Sequence, residues 1–199
     1  MKTPSVDLSI FKHRHAVQFY GSDDSLITTV TGFLSEGMIA RQPGVVIATE
    51  PHRDAIVAQL ATRLIDVEKA QRQGDLVLLD ADETLDLFMF GDIPDAIAFD
   101  AQVGHLFEQV LEGRPTTILR AYGEMVDVLW KRGRMEAAIR LELLWNKLAA
   151  RFGFALLCGY SMGNFYKQAA LFQEVCRHHT HVLDSDTNVV VLDRARESA

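Results

Sequence analysis

Five apolar runs alternate along the chain with segments whose apolar residues recur at helical spacing. The runs are HAVQFY (15–20), VVIAT (45–49), LVLLD (76–80), TTILRAY (116–122) and FALLCGY (154–160). Continuous apolar runs are typical of strands covered on both faces. Strands that alternate with helices favour a parallel sheet with right-handed crossovers. We therefore predict a three-layer α/β fold, with a mostly parallel sheet flanked by helices.

The segments between the runs carry helix start and stop signals. Ser22 is a good N-cap for the first helix, which has apolar residues at helical spacing. The region 124–151 is long for one helix, and a glycine follows two basic residues within it, so we predict two helices broken near Gly133. After the fifth run, the pattern indicates a short helix around 165–177 and one further strand within 179–192.

The amino-acid composition favours a globular protein and argues against a nucleic-acid-binding or membrane-spanning one. The 199 residues are 48% hydrophobic, which is enough to bury a core, and the formal net charge is −7. An acidic chain is a poor match for an extended nucleic-acid surface. Its apolar stretches are all shorter than the roughly 18 residues needed to span a bilayer. Cys158 and Cys176 have neither metal-site spacing nor the pattern of a disulfide framework, so we expect a reducing, cytoplasmic location.

Polar residues follow each predicted strand, and the carboxyl ends of parallel strands share one edge where ligands bind. Arg120 and Glu124 flank the predicted exit of the fourth strand, and Glu142 and Asn146 are four apart on one helical face. An arginine oriented by carboxylates could form the floor of a polar pocket. The same residues could instead form an internal salt-bridge network between the helices and the sheet. The other rim segments are 20–22, 49–52, 80–83 and 160–161.

No catalytic or metal motif is complete. The turn FYGSDDSLI lacks the glycine-rich run and the lysine of a phosphate-binding loop, and its two aspartates would repel a polyphosphate. His15 and His52 lie beside strand ends without an obvious nucleophile. Adjacent histidines in the segment 176–181 point in different directions, which disfavours a zinc site. We predict no catalytic residue, no metal and no cofactor, and we place Trp145 in the core.

Several motifs, in order, resemble the MEDS domain, a sensory domain named for methanogens and methylotrophs and first described in a dichloromethane-responsive repressor. They are HAVQFY, VVIATEPHRDAI, the RxxGEM of residues 120–125, IRLELLWN, LLCGY and FQEVCRHHTHV. The resemblance covers roughly residues 13–183. It leaves 1–12 as a flexible lead-in and 184–199 as a C-terminal extension with a polar tail.

The resemblance implies a degenerate relative of the RecA/KaiC-type ATPase fold without its nucleotide loop. It also implies perception of a signal, proposed for small hydrocarbon derivatives, in proteins that carry or accompany histidine kinases, DNA-binding domains or sigma-factor regulators. Apart from Trp145, the family positions supply the candidate ligand-binding residues. These are His15, Tyr20, His52, Arg120, Glu124, Glu142 and Asn146.

We therefore expect a non-enzymatic, cytoplasmic sensor or adaptor that binds a small molecule, a regulatory protein such as a histidine kinase or transcription regulator, or both. We see no pattern of an output domain, so it would signal through a separate partner, with no direct nucleic-acid or membrane binding. A homo-oligomer is compatible with this role.

Two alternatives stay open. One is an enzyme that uses Arg120, Glu124 and a histidine on a small anionic substrate. The other is an interaction module whose pocket is filled by side chains. An open pocket lined by Arg120 and Glu142 would favour ligand binding, and a closed rim would favour the interaction module.

Overall fold

A computed structural model describes residues 15–164, 169–183 and 189–191, and it contains one main sheet and a small hairpin. The strands of the main sheet are β1 (His15–Tyr20), β2 (Gly44–Ala48), β3 (Leu76–Asp80), β6 (Arg120–Gly123), β7 (Ala155–Ser161), β8 (His181–Leu183) and β9 (Val189–Val191). The hairpin pairs β4 (Met89–Phe90) with β5 (Ile93–Pro94). In the main sheet the strand order is β3-β2-β6-β7-β1-β8-β9, and every pairing is parallel except that of β8 with β9. The predicted α/β fold with a mostly parallel sheet is confirmed.

Helices connect the strands on both faces of the sheet. They are α1 (Asp23–Ile39), α2 (Glu50–Thr62), α3 (Val67–Arg72), α4 (Ala81–Asp86), α5 (Ala96–Phe99), α6 (His105–Leu111), α7 (Met125–Lys131), α8 (Met135–Phe152) and α9 (Ala169–Arg177). A π-helical turn, Asp100–Gly104, joins α5 to α6. The Ser22 side chain caps α1 by accepting a hydrogen bond from the Ser25 amide. Gly133, with φ of 74°, lies in the break between α7 and α8, as predicted.

The core has two halves, one on each face of the sheet. Along β1, Val17 and Phe19 belong to one half, and Ala16 and Tyr20 belong to the other. This alternation is the two-residue period of a strand, so a strand buried on both faces reads as one continuous apolar run. Residues of α1, α2 and α3 cover one face, and residues of α4 to α9 cover the opposite face. None of the helices in the described part of the chain is long and apolar enough to cross a membrane.

Two strand predictions were wrong in detail. The fourth predicted strand does not begin at residue 116, because the chain still turns at Thr117, whose amide donates to the Arg114 carbonyl. Pairing with β2 starts only where β2 itself starts, at Gly44 opposite Arg120. The segment 179–192 contains two antiparallel strands, β8 and β9, where one was predicted.

Some predictions fall outside the described residues. The lead-in at 1–12, the start of the last helix at 165–168 and the polar tail at 194–199 all lie there. The domain limits at residues 12 and 183 stay predictions.

Candidate functional site

The structure separates the seven predicted site residues into three groups. Tyr20, His52 and Glu124 meet at the carboxyl edge of the sheet, as the topology predicted. A second group lies inside the core, between the sheet and α8, and consists of His15, Glu142 and Asn146. Arg120 stands apart at the amino edge. The role of these residues as ligand contacts stays a prediction.

Glu124 is the centre of the carboxyl-edge group. It directly follows β6 and is only 1% exposed. Its carboxylate accepts hydrogen bonds from the Thr49 amide at 3.1 Å and the Thr49 hydroxyl at 3.2 Å, and its Oε1 lies 2.8 Å from Nδ1 of His52. A buried carboxylate needs such partners to offset its lost hydration. The group therefore joins the turn after β2 to the turn after β6.

His52 links this buried carboxylate to the surface. Its Nε2 lies 3.3 Å from Oδ1 of Asp23, whose side chain is 73% exposed. The hydrogen bond to Glu124 raises the pKa of His52, and it outweighs burial, which alone would lower that pKa. Asp23 adds to the increase. A proton on His52 is therefore held between one solvent-exposed acid and one buried acid.

Tyr20 contributes to the same edge through Asp127 of α7. The tyrosine hydroxyl donates to Oδ2 of Asp127 at 2.8 Å, and the ammonium of Lys131 lies 2.8 Å from the same oxygen. The Ser161 amide, at the end of β7, donates to Oδ1 of Asp127 at 2.9 Å. Burial and the Asp127 carboxylate raise the pKa of Tyr20, so this phenol stays a hydrogen-bond donor. The edge residues of β1, β7 and α7 are thus held together by one carboxylate.

The core group is organised by Glu142 of α8, which is fully buried. Its Oε1 accepts a hydrogen bond from the Tyr160 hydroxyl at 2.8 Å, and its Oε2 lies 3.2 Å from Nε2 of His15. Asn146, one turn further along α8, places its Oδ1 3.1 Å from the other nitrogen of His15. The prediction that Glu142 and Asn146 share a helical face is confirmed, because both reach the same histidine.

Two residues that the sequence analysis did not select complete this group. Sγ of Cys158 lies 3.2 Å from Nε2 of His15, and Nε2 of His179 lies 3.5 Å from Oε2 of Glu142. All four side chains are buried, and one ligand atom from each lies within 4.8 Å of the others. We call this set the buried cluster. Its members are His15, Glu142, Cys158 and His179.

Burial and contacts within the cluster shift the pKa values of its members. Burial lowers the pKa of His179 to about 3 and raises the pKa of the Cys158 thiol. Burial alone would raise the pKa of Glu142, but the two imidazoles and the Tyr160 hydroxyl outweigh it and lower that pKa. Near neutral pH, His179 is therefore uncharged and the thiol keeps its proton, while Glu142 is a carboxylate.

Comparison with known proteins shows the family to which this chain belongs. The family model described as "MEthanogen/methylotroph, DcmR Sensory domain", abbreviated MEDS, matches residues 14–180. That span contains the carboxyl-edge group and the whole buried cluster. The chain belongs to the MEDS family. A comparison of this MEDS chain with curated proteins found no match.

Solved structures resemble the MEDS chain in fold. A KaiC-like protein from the archaeon Pyrococcus horikoshii OT3 aligns with a TM-score of 0.55 and 13% identity over 87% of this chain and 72% of that chain. An uncharacterised protein from Pyrococcus horikoshii, solved in complex with an unknown peptide, aligns with a TM-score of 0.63 and 13% identity over 87% of this chain and 77% of that chain. At this identity the likeness concerns the fold alone, and the predicted KaiC-like fold is confirmed.

The position of Arg120 in the MEDS chain differs from the predicted one. Arg120 is the first residue of β6, so it lies at the edge opposite Glu124, and the two residues do not form one pocket. Its Nε donates to Gln42 at 2.8 Å, a terminal nitrogen donates to the Phe33 carbonyl at 2.7 Å, and the guanidinium stacks over the Phe33 ring. These contacts bind the C-terminal part of α1 to the sheet, which is a structural role.

Among the described residues, the linings of three cavities include neither Arg120 nor Glu142. One of about 400 Å³ opens beside the carboxyl end of β3, and others of about 700 Å³ and 280 Å³ lie near α3 and α8. The first is lined from β3 and α4 by Leu79, Asp80, Glu83, Thr84 and Leu87, and from the π-helical turn and α6 by Ala101, Gln102, Val103, His105, Leu106 and Gln109. The rim segment 80–83 thus lines a cavity, whereas Glu142 is enclosed.

The sequence held weak signals for the residues that were missed. Asp127 is the one acidic residue in the apolar stretch MVDVLWK, a pattern that indicates a buried and partnered carboxylate. Cys158 and Tyr160 are two apart on β7, so they share a face of the sheet. His179 belongs to the histidine-rich segment 176–181, and its own role had no periodic signal because it follows α9 outside any regular element.

Proposed function

We propose that this chain is a sensory domain that binds a small, weakly polar molecule at the carboxyl edge of its sheet and transmits the bound state without chemical turnover. The family match to a sensory domain supports the role. The observation that carries the choice of site is the cavity of about 400 Å³ at the end of β3. Its volume is within the usual range for small-molecule sites.

The lining of the cavity suits a small hydrocarbon derivative. Leu87, Val103 and Leu106 provide apolar contact, and Asp80 and Gln102 add polar groups that could orient one substituent. Apolar walls with a few polar groups are the usual composition of small-molecule pockets. The carboxylates of Asp80 and Glu83 would repel charged phosphates.

A chain of contacts connects the cavity to the carboxyl-edge group. Oδ2 of Asp80 accepts a hydrogen bond from Arg53 at 2.9 Å, and Arg53 directly follows His52 on α2. His52 in turn contacts Glu124. A ligand that moves Asp80 would therefore act on the first turn of α2 and on the turn before α7. A ligand would shift an equilibrium between two conformations of the domain only as far as it binds one conformation more tightly than the other.

Absence of turnover is part of the proposal. An enzyme that joins Arg120 to Glu124 would need both residues in one site, and they lie at opposite ends of β6. The buried Cys158 thiol, whose pKa is raised, is a poor nucleophile. We place the domain in the cytoplasm, where its bound state would be recognised by a regulatory protein such as a histidine kinase or a transcription regulator.

The test titrates the full chain with dichloromethane and with methanol. Two-dimensional NMR detects the binding of each probe. We expect saturable shifts of the methyl groups of Leu87, Val103 and Leu106 with at least one probe. Ala101→Trp should fill the cavity and abolish these shifts. Ala96→Trp is the matched control, because Ala96 is also exposed and lines the separate cavity of about 280 Å³.

Two outcomes would count against the proposal. The choice of site fails if neither probe gives saturable shifts, or if Ala101→Trp responds as the parent chain does. The absence of turnover is checked separately, by gas chromatography of each probe after prolonged incubation with the chain. Consumption of a probe would support the alternative of an enzyme.

A further inference from the structure

The buried cluster brings several hydrogen-bond acceptors to one point without enough donors. Oε2 of Glu142 lies 3.2 Å from Nε2 of His15 and 3.5 Å from Nε2 of His179. Glu142 is fully enclosed, so water cannot relieve this crowding from the surface. Whether the arrangement is stable depends on which nitrogen of each imidazole carries hydrogen.

The surrounding contacts fix that hydrogen on the far side of both rings. The Asn146 amide nitrogen donates to the His178 carbonyl at 3.1 Å, so the Asn146 oxygen faces Nδ1 of His15, which must be the donor. Nδ1 of His179 lies 2.8 Å from the Val175 carbonyl, an oxygen that can only accept. In a neutral ring the other nitrogen then has a free lone pair. With both rings neutral, both Nε2 atoms direct lone pairs into the cluster.

One proton cannot satisfy these acceptors. Within the described part of the chain, the donor placed among them is the thiol of Cys158, at 3.2 Å from Nε2 of His15 and 3.8 Å from Oε2 of Glu142. Nε2 of His179 is buried and has no hydrogen-bond partner among the residues that the structure describes. A buried polar atom without a partner costs free energy, and natural proteins keep few of them.

A metal ion would satisfy all of these groups at once. We propose that the buried cluster is a four-coordinate site for a divalent transition metal ion of the zinc class. The outward hydrogen bonds to Asn146 and to the Val175 carbonyl are the kind of contact that orients metal-binding histidines. The Tyr160 hydroxyl does the same for Glu142, because it occupies Oε1 and leaves Oε2 for the ion.

The distances and the donor atoms both fit this class of ion. Zinc binds nitrogen, oxygen and sulfur at about 2.0–2.3 Å in a tetrahedron, whose edges are then roughly 3.3–3.8 Å. Four of the six ligand pairs are separated by 3.2, 3.2, 3.5 and 3.8 Å. Two imidazoles and a thiol disfavour magnesium and calcium, which select oxygen ligands. On binding, the Cys158 thiol releases its proton to solvent and the thiolate joins the ion.

The proposed site would be structural, and it does not depend on the proposed sensory function. Four protein ligands leave no open coordination position, which is typical of structural zinc sites. The ligands come from β1, α8, β7 and the segment after α9, so the ion would fasten the end of the described domain to the middle of its sheet. The expected consequence is a folded state that loses stability when the ion is removed.

The experiment measures metal content and a cobalt spectrum on the full chain purified without a histidine tag. After incubation with zinc chloride under reducing conditions and desalting, the parent should retain one zinc per chain by elemental analysis. Cys158→Ser and His179→Gln should retain almost none. Cys176→Ser and His105→Gln are matched controls outside the cluster, and both should retain zinc as the parent does.

If the cluster variants do not fold, the cobalt spectrum still tests whether the buried cluster binds a metal ion. Cys176→Ser leaves Cys158 as the only thiol of the chain. With Co²⁺ this variant should show a thiolate-to-cobalt charge-transfer band and the intense visible bands of tetrahedral cobalt. The proposal is overturned if that band is missing, if the parent retains no stoichiometric zinc, or if folded cluster variants retain as much zinc as the controls.

Discussion

His52 and Glu124 share a 2.8 Å contact that joins the first turn of α2 to the turn before α7. Asp23 approaches the opposite nitrogen of the same ring from the start of α1. Three helices that leave the carboxyl edge of the sheet are thus connected through one imidazole. A change in the charge of this ring should therefore be measurable as a change in the stability of the whole domain.

We predict a pH dependence of stability that is specific to His52. Its pKa is raised from the ordinary value of 6.5, chiefly by the hydrogen bond to Glu124. The stabilisation is then fully present below pH 6.5 and is lost as the pH rises through the higher pKa of the folded state. A hydrogen bond between charged groups typically contributes about 1.5–3 kcal/mol. The free energy of unfolding should be measured in urea between about pH 5.5 and about pH 8.5, which spans the ordinary histidine pKa.

His52→Gln should remove this part of the pH dependence, and His105→Gln, at an exposed histidine of α6, should leave it unchanged. If the parent and His52→Gln differ by the same free energy at every pH, the ring does not titrate as described.

We predict that Trp145→Ala destabilises the domain by about 3–5 kcal/mol, the usual cost of removing a large buried aromatic side chain. Trp145 is fully buried and packs against Phe99, Phe107 and Phe154. Trp145→Phe should cost less, because it leaves a smaller cavity. Urea unfolding of both variants provides the measurement. An alanine variant that is as stable as the parent but has lost ligand binding would point instead to an aromatic cage.

We predict that Arg120→Ala lowers the free energy of unfolding by about 1.5–3 kcal/mol, the range for hydrogen bonds made by charged groups. The variant loses the contacts to Gln42 and to the Phe33 carbonyl. Arg120→Lys should recover little, because an ammonium cannot reproduce the planar fork of the guanidinium. The pH dependence attributed to His52 should persist in both variants, since Arg120 lies at the other edge. Equal stability of the alanine variant and the parent would contradict the structural role.

We predict that Mg-ATP and Mg-GTP give no saturable heat in titration calorimetry. The first turn of α1 carries Asp23 and Asp24, and no lysine is available there to bind phosphates. Neutralising both aspartates should not create binding, because the backbone cradle and the lysine would still be missing. Low-micromolar binding that is lost on substitution of residues 22–25 would mean that this turn does hold nucleotides.

The sequence predicted those features of the fold that depend on the local spacing of apolar residues. The alternation of β1 and the apolar face of α8, with Trp145 inside, follow from spacing alone. The position of Arg120 does not, because the start of β6 depends on where its partner β2 begins and on the turn at Thr117. An apolar run can extend beyond the residues that find a strand partner, so Arg120 was assigned to the wrong edge of the sheet.

The buried cluster could not be predicted for a different reason. His15 and Cys158 are 143 residues apart, and they meet because β1 lies beside β7. His179 joins them because its segment runs next to the first strand, where the Thr180 amide donates to the His15 carbonyl. Strand order is decided by the packing of the whole domain, and no short window of sequence contains it.

The place of β1 in the sheet has a consequence for how the protein is made. Its two neighbours, β7 and β8, both lie after residue 154, so the first described strand to leave the ribosome has no partner until most of the domain has been synthesised. Pairing between such distant segments folds slowly and leaves apolar strand edges exposed meanwhile. We expect the nascent chain to depend on chaperones during this interval, and chains released early, before β7, to aggregate rather than to form a smaller folded domain.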